Sequence, residues 1–88
     1  MAKIIAFDAR PGREPKRPSA IDVHVGTRLR QRRIERGISQ EVLARRLDIS
    51  HHQLQKYEAG LNRVSAARLY QIAVQLEAPI GWFFEGLG

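Results

Sequence analysis

Cysteine is absent from the chain, which excludes disulfides, thiolate metal sites and thiol catalysis and is compatible with a reducing cytoplasm. Long apolar runs are missing too. None approaches the roughly 18 to 20 residues needed to cross a bilayer, and residues 1–7 are too short for the core of a signal peptide. A soluble cytoplasmic protein without a membrane partner is therefore expected. Basic residues are missing from one end: residues 69–88 carry only Glu77 and Glu85, a local charge of −2.

The rest of the chain has the opposite character. Over 88 residues the formal charge is +6, with +3 in residues 1–20 and +5 in residues 21–68. One end is suited to an anionic partner and the other is not. A domain of this length buries a modest core, so a second copy that adds buried surface is a reasonable expectation.

Residues 1–20 read as a flexible basic arm, because Pro11, Gly12, Pro15 and Pro18 oppose helix and strand alike. Three readings of it stay open. It is a disordered leader, or residues 3–7 add a strand to a partner chain, or the basic run follows a DNA backbone or minor groove.

Residues 21–88 read as one helical domain. Ser19 or Asp22 caps a first helix that runs to about Arg36 and stops at Gly37, with Val25, Leu29 and Ile34 as its apolar side. Arg28, Arg30, Arg32, Arg33 and Arg36 flank that side, and a solvated face is the plain reading for Arg30, Arg32 and Arg36. Ser39 opens a second helix in which Val42, Leu43, Ala44 and Leu47 recur at helical spacing. Only Asp48 and Ile49 separate it from Ser50, which with Gln53 has capping-box spacing and starts a helix ended by Gly60. Two helices joined that tightly have the proportions of a helix-turn-helix. Ser65 caps a fourth helix with Leu69, Ile72, Ala73 and Leu76 as its core stripe and Tyr70 beside it. A last short helix over residues 79–84 starts at Pro79. It carries Trp82, Phe83 and Phe84, which cannot all point one way. Either they close the small core or at least one is left for a dimer contact, and the expectation is a dimer interface built from these three.

On the third helix positions 51, 52, 55 and 56 share one side and all are polar: His51, His52, Gln55 and Lys56. Leu54 and Tyr57 take the opposite side and anchor it. Gln53 is set aside because the capping box uses it. Gln55 suits adenine, and Lys56 and a histidine suit guanine N7 or O6.

Residues 23–84 resemble the helix-turn-helix family of phage repressors and Cro proteins, the XRE family. The resemblance is carried by VGTRLRQRR, RGISQEVLARRLDIS, LQKYEAG and RLYQIAVQL, with AP and WFF after them. It implies an all-α bundle of five short helices, of the lambda-repressor-like type, with an extended N-terminal arm. The recognition helix would be residues 50–59, with His51, His52, Gln55 and Lys56 reaching base edges. Gln40 would bind a phosphate and brace the first residue of that helix, and Asn62 and Arg63 would form a backbone-binding loop. Ser50 and Arg28 complete the expected phosphate contacts. Arg33 and Glu58 would form a structural ion pair between helices. Asp48 departs from the pattern, standing where relatives usually have glycine, although aspartate tolerates positive φ better than most residues.

The function implied is a sequence-specific transcription regulator, a repressor that binds double-stranded DNA as a homodimer. An antitoxin, or another module that holds a protein partner and autoregulates through DNA, is the alternative. No enzyme, cofactor or small-molecule ligand is expected. A metal at His51 and His52 is disfavoured, since adjacent helical residues diverge and no third ligand stands at a suitable spacing. No serine, cysteine or glycine-rich loop completes a nucleophilic site.

Overall fold

Every α-helix of the domain begins at a serine. In the computed structural model, which describes residues 19–88, the order is α1 (Ala20–Glu35), α2 (Gln40–Leu47), α3 (His51–Glu58), α4 (Ala66–Leu76) and a 3₁₀ helix (Ile80–Phe84). Ser19, Ser39, Ser50 and Ser65 each sit in extended backbone one residue ahead of a helix. Their hydroxyl oxygens accept from the N–H groups of Asp22 (3.0 Å), Val42 (3.1 Å), Gln53 (2.9 Å) and Arg68 (3.1 Å). Each bond satisfies a donor that the first turn leaves unpaired. At α1 the box is complete, since Ser19 N–H also donates to Asp22 Oδ2 at 3.4 Å. At α3 the return bond from Ser50 N–H is not made, so Gln53 is not spent on capping and the reason for setting it aside does not hold.

Asp48 ends α2 in the left-handed region at φ 56°, as the tight turn requires of a non-glycine residue. Glu77 ends α4 the same way at φ 53°, which the sequence did not suggest. No helix among the described residues is long and apolar enough to cross a membrane.

The core is built from Leu29, Leu43, Leu54, Ile72, Leu76 and Phe83, all fully enclosed, with Val25, Ala44, Leu47, Leu69, Ala73 and Ala78 around them. Burying a side chain of the leucine or phenylalanine class contributes about 1.5–3 kcal/mol, so these six are the main fixed points of the bundle. Three expectations need correction. Ile34 is 52% exposed and does not join Val25 and Leu29; the buried stripe of α1 runs Val25, Leu29, Arg33 at four-residue steps instead. The last helix is a 3₁₀ turn with Pro79 as its cap rather than a fifth α-helix. Finally, Phe83 is part of the core and is not available to a dimer. The proposed arm, apart from its last two residues, lies outside the described residues.

Arg28, expected on a DNA phosphate, and Arg32, expected on a solvated face, instead close the far end of the bundle. Arg28 lies over the Trp82 ring, its guanidinium carbon 3.6 Å from the ring centroid, and donates from Nε and Nη2 to Trp82 O at 3.0 and 2.7 Å. Arg32 donates to Leu76 O at 3.0 Å and Glu77 O at 2.8 Å. Carbonyls at helix ends have no partner within the helix, and charged donors supply the stronger kind of hydrogen bond. Arg36 pairs with the Glu77 carboxylate. Of the three arginines assigned to a solvated face, Arg30 alone has no such role.

Candidate nucleic-acid interface

The polar face of α3 is built outward from a buried charge. Arg33 of α1 and Glu58 of α3 are enclosed, with side chains 11% and 3% exposed. Arg33 Nε and Nη2 donate to the two carboxylate oxygens at 2.6 and 3.2 Å, and Nη1 donates to Ile38 O at 2.9 Å. This two-point geometry matches a planar guanidinium to a carboxylate. Gln40, the first residue of α2, donates from Nε2 to Glu58 Oε1 at 2.8 Å. Its own oxygen lies 2.8 Å from His51 Nε2, at the first position of α3. A continuous line of hydrogen bonds therefore runs from α1 to the exposed start of α3.

On the outer side His51, His52 and Gln55 are exposed and Lys56 is half-buried. Leu54 is fully enclosed and Tyr57 packs against the core from the opposite side. The four expected reading positions thus share one accessible face, and Gln53, half-buried, stands beside them. Ser50 caps α3 with its hydroxyl oxygen, leaving the hydroxyl hydrogen free to donate.

Other expected contacts are placed differently. Arg28 is removed from the phosphate set, because it is held on Trp82 and lies 3.6 Å from Glu85 Oε1. Trp82 is half-buried beneath it, so of the three expected dimer residues only Phe84, 38% exposed, keeps a substantial free surface. Asn62 is half-buried and Arg63 exposed, in the loop that follows α3.

Arg63 is drawn toward α1, where Nε donates to Asp22 Oδ1 at 3.2 Å. Burial pushes the Asp22 carboxyl up, but hydrogen bonds from Arg63 and Ser19 and the charge of Arg63 outweigh it and hold the group below its ordinary 3.8. A carboxyl depressed in the folded state stabilises it above the unfolded-state value, and that contribution disappears as pH falls through the folded-state value. The stability difference between the wild type and Asp22→Asn should therefore be level at neutral pH and shrink on acidification below about 3.8. Urea melts at stepped pH would show it, and a difference independent of pH would mean that Asp22 is unpaired in solution.

Sequence reasoning missed Gly26. It is buried in α1 where that helix crosses the end of α3, and a β-carbon there would lie 2.3 Å from Tyr57 O and 2.8 Å from Glu58 O. An isolated glycine inside a helical pattern was the available signal. Gly60, whose positive φ of 74° was expected, has a second constraint: a β-carbon would stand 2.6 Å from Val23 Cα.

Comparison with known proteins gives a consistent picture. The helix-turn-helix family model HTH_3 matches residues 29–83. A transcriptional regulator from the ATPase CF(0) region of Rhodospirillum rubrum is 55% identical over 67 residues, covering 76% of this chain and 62% of that protein. An HTH-type transcriptional regulator from Sinorhizobium medicae is 51% identical over 70 residues, covering 80% of this chain and 50% of that one. The chain thus spans about half to three-fifths of the length of these relatives. Among solved structures, the restriction-modification controller protein C.AhdI from Aeromonas hydrophila superposes with a TM-score of 0.70 at 30% identity, over 75% of this chain and 100% of that one.

Proposed function

The chain belongs to the XRE-type helix-turn-helix family, a family of DNA-binding transcription regulators rather than enzymes, and from that premise we propose that it recognises a specific operator as a homodimer and represses the genes beside it. His51, His52, Gln55 and Lys56 read base edges in the major groove. Gln40, Ser50, Asn62 and Arg63 bind the flanking phosphates. The observation that carries this reading is the exposed polar side of α3, whose first residue is braced by Gln40 against the buried Arg33–Glu58 pair. Recognition of this type needs reading groups held in fixed positions, and a helix anchored at both ends of its apolar side supplies them.

Two recognition helices in a dimer would enter the groove roughly 34–36 Å apart. Phe84 offers apolar surface for such a pairing, as do Tyr70, Val74 and Ile80, which line a shallow groove with Ala73 and Pro79. The same surfaces suit the alternative, an antitoxin that holds a protein partner; co-purification with a toxin would favour it.

Selection of bound duplexes from a random pool tests the proposal. A two-fold symmetric site is expected, and failure to enrich any sequence over bulk DNA would sink it. Lys56→Ala or His52→Ala should relax the choice at one base pair per half-site and weaken specific binding by about 1–3 kcal/mol.

A further inference from the structure

The hydrogen-bond line through Gln40 has a direction, and the direction determines what His51 can read. A carboxylate accepts hydrogen bonds and cannot donate them. Glu58, which takes two from Arg33, must therefore face the NH₂ end of the Gln40 amide, as the 2.8 Å contact from Nε2 requires. The opposite orientation would set two acceptor oxygens against each other beside a buried charge. Gln40 Oε1 is thereby turned toward His51, 2.8 Å from its Nε2. An amide oxygen only accepts, so Nε2 must carry a proton. In the neutral imidazole one nitrogen donates and the other accepts, which leaves Nδ1 as a bare acceptor. It makes no hydrogen bond to any described residue, and the side chain is exposed at the first position of α3.

We infer that His51 reads DNA through Nδ1 as a hydrogen-bond acceptor, selecting an exocyclic amino group, adenine N6 or cytosine N4, instead of the guanine N7 or O6 expected for a histidine. The inference rests on α3 being the recognition helix. In the major groove these amino groups are the donors, whereas guanine N7 and O6 and thymine O4 are acceptors that bare Nδ1 cannot bind. Gln40 is then a positioning residue that fixes the tautomer of its neighbour, and the buried ion pair, through Gln40, fixes the hydrogen-bonding character of the outermost reading group.

The experiment starts from the duplex selected by the full chain at pH 8. The base pair whose preference disappears in His51→Ala is located first. At that pair adenine is replaced by purine, or cytosine by 2-pyrimidinone, to remove the amino group; in a second duplex the 7-deaza purine removes N7. Loss of the amino group should weaken wild-type binding about tenfold, the low end of what one mismatched pair costs. It should have little effect on His51→Ala and a reduced effect on Gln40→Ala, while loss of N7 affects wild type and His51→Ala alike. Nitrogen NMR of the free wild-type protein at pH 8 should find the His51 proton on Nε2. A proton on Nδ1, or a His51-dependent penalty for N7 and none for the amino group, overturns the inference. If a sequence is selected but no base pair depends on His51, the inference fails and the reading of α3 stands. If no sequence is selected, both fail.

Discussion

Replacing Glu58 by glutamine should lower the unfolding free energy by about 3–5 kcal/mol, the usual consequence of removing one member of a buried ion pair. The variant keeps the shape of the side chain and removes its charge. Arg33 would remain enclosed with a full positive charge, and its fork, which now meets two acceptor oxygens at 2.6 and 3.2 Å, would meet one acceptor and one donor. Gln40, which donates to the same carboxylate at 2.8 Å, would also face an amide that can turn either way. Small domains are stable by about 5–15 kcal/mol, so a loss of this size leaves the marginal ones partly unfolded at 37 °C. Urea melts of Glu58→Gln would measure it. The double variant Arg33→Met with Glu58→Leu should be far less damaged than the two single changes together, because apolar replacement removes both desolvated charges at once. A single-variant loss below about 1 kcal/mol would instead be the behaviour of an exposed pair, and would mean that water reaches this one in solution.

Glu58 also shows what could be read in the residues alone. Its pairing with Arg33 was implied by family resemblance, while the helical pattern of α1 pointed elsewhere. Hydrophobicity favoured Ile34 as the next apolar contact after Val25 and Leu29. Helix geometry favours Arg33, which continues the four-residue step, whereas Ile34 is turned about 100 degrees away from that line. Three serine caps, Ser39, Ser50 and Ser65, were legible because capping is local: a hydroxyl meets an N–H three residues on. At α1 the same spacing left Ser19 and Asp22 both open, and both take part in its capping box. The polar side of α3 was legible for the same reason, since spacing alone decides which residues share a face.

Contacts between distant segments were not legible. Trp82, Phe83 and Phe84 had to diverge, but nothing in their order determined which one turned inward. In a 3₁₀ helix successive residues turn by about 120 degrees, so only one of three neighbours can enter the core, and that one is Phe83. Arg28 was misassigned because a long flexible cation serves equally well on a phosphate, on an aromatic ring or on a backbone carbonyl. Its partner Trp82 O lies 54 residues away, in a segment whose path the sequence does not specify.

Gly26→Ala should destabilise the domain even though alanine is the better helix former. In an exposed helix the change would gain about 1 kcal/mol. At this position the added methyl would lie 2.3 Å from Tyr57 O and 2.8 Å from Glu58 O. Both atoms are backbone, so no side chain can rotate aside and α1 must move away from the end of α3. Overpacking of this kind costs about 1–3 kcal/mol and occasionally more. The displacement would also strain the bonds from Arg33 to Glu58, which join the same two helices, and through Glu58 the Gln40 link from α2 to His51. The expected net result is a loss of about 2 kcal/mol, together with weaker sequence selection by whatever fraction stays folded. Gly81→Ala is the matched control, since a β-carbon there meets nothing within 4 Å; it should leave the midpoint of a urea melt almost unchanged. A Gly26→Ala protein as stable as the wild type would mean that the two helices cross farther apart than this structure has them, and that the bracing of His51 through Gln40 is looser in the same measure.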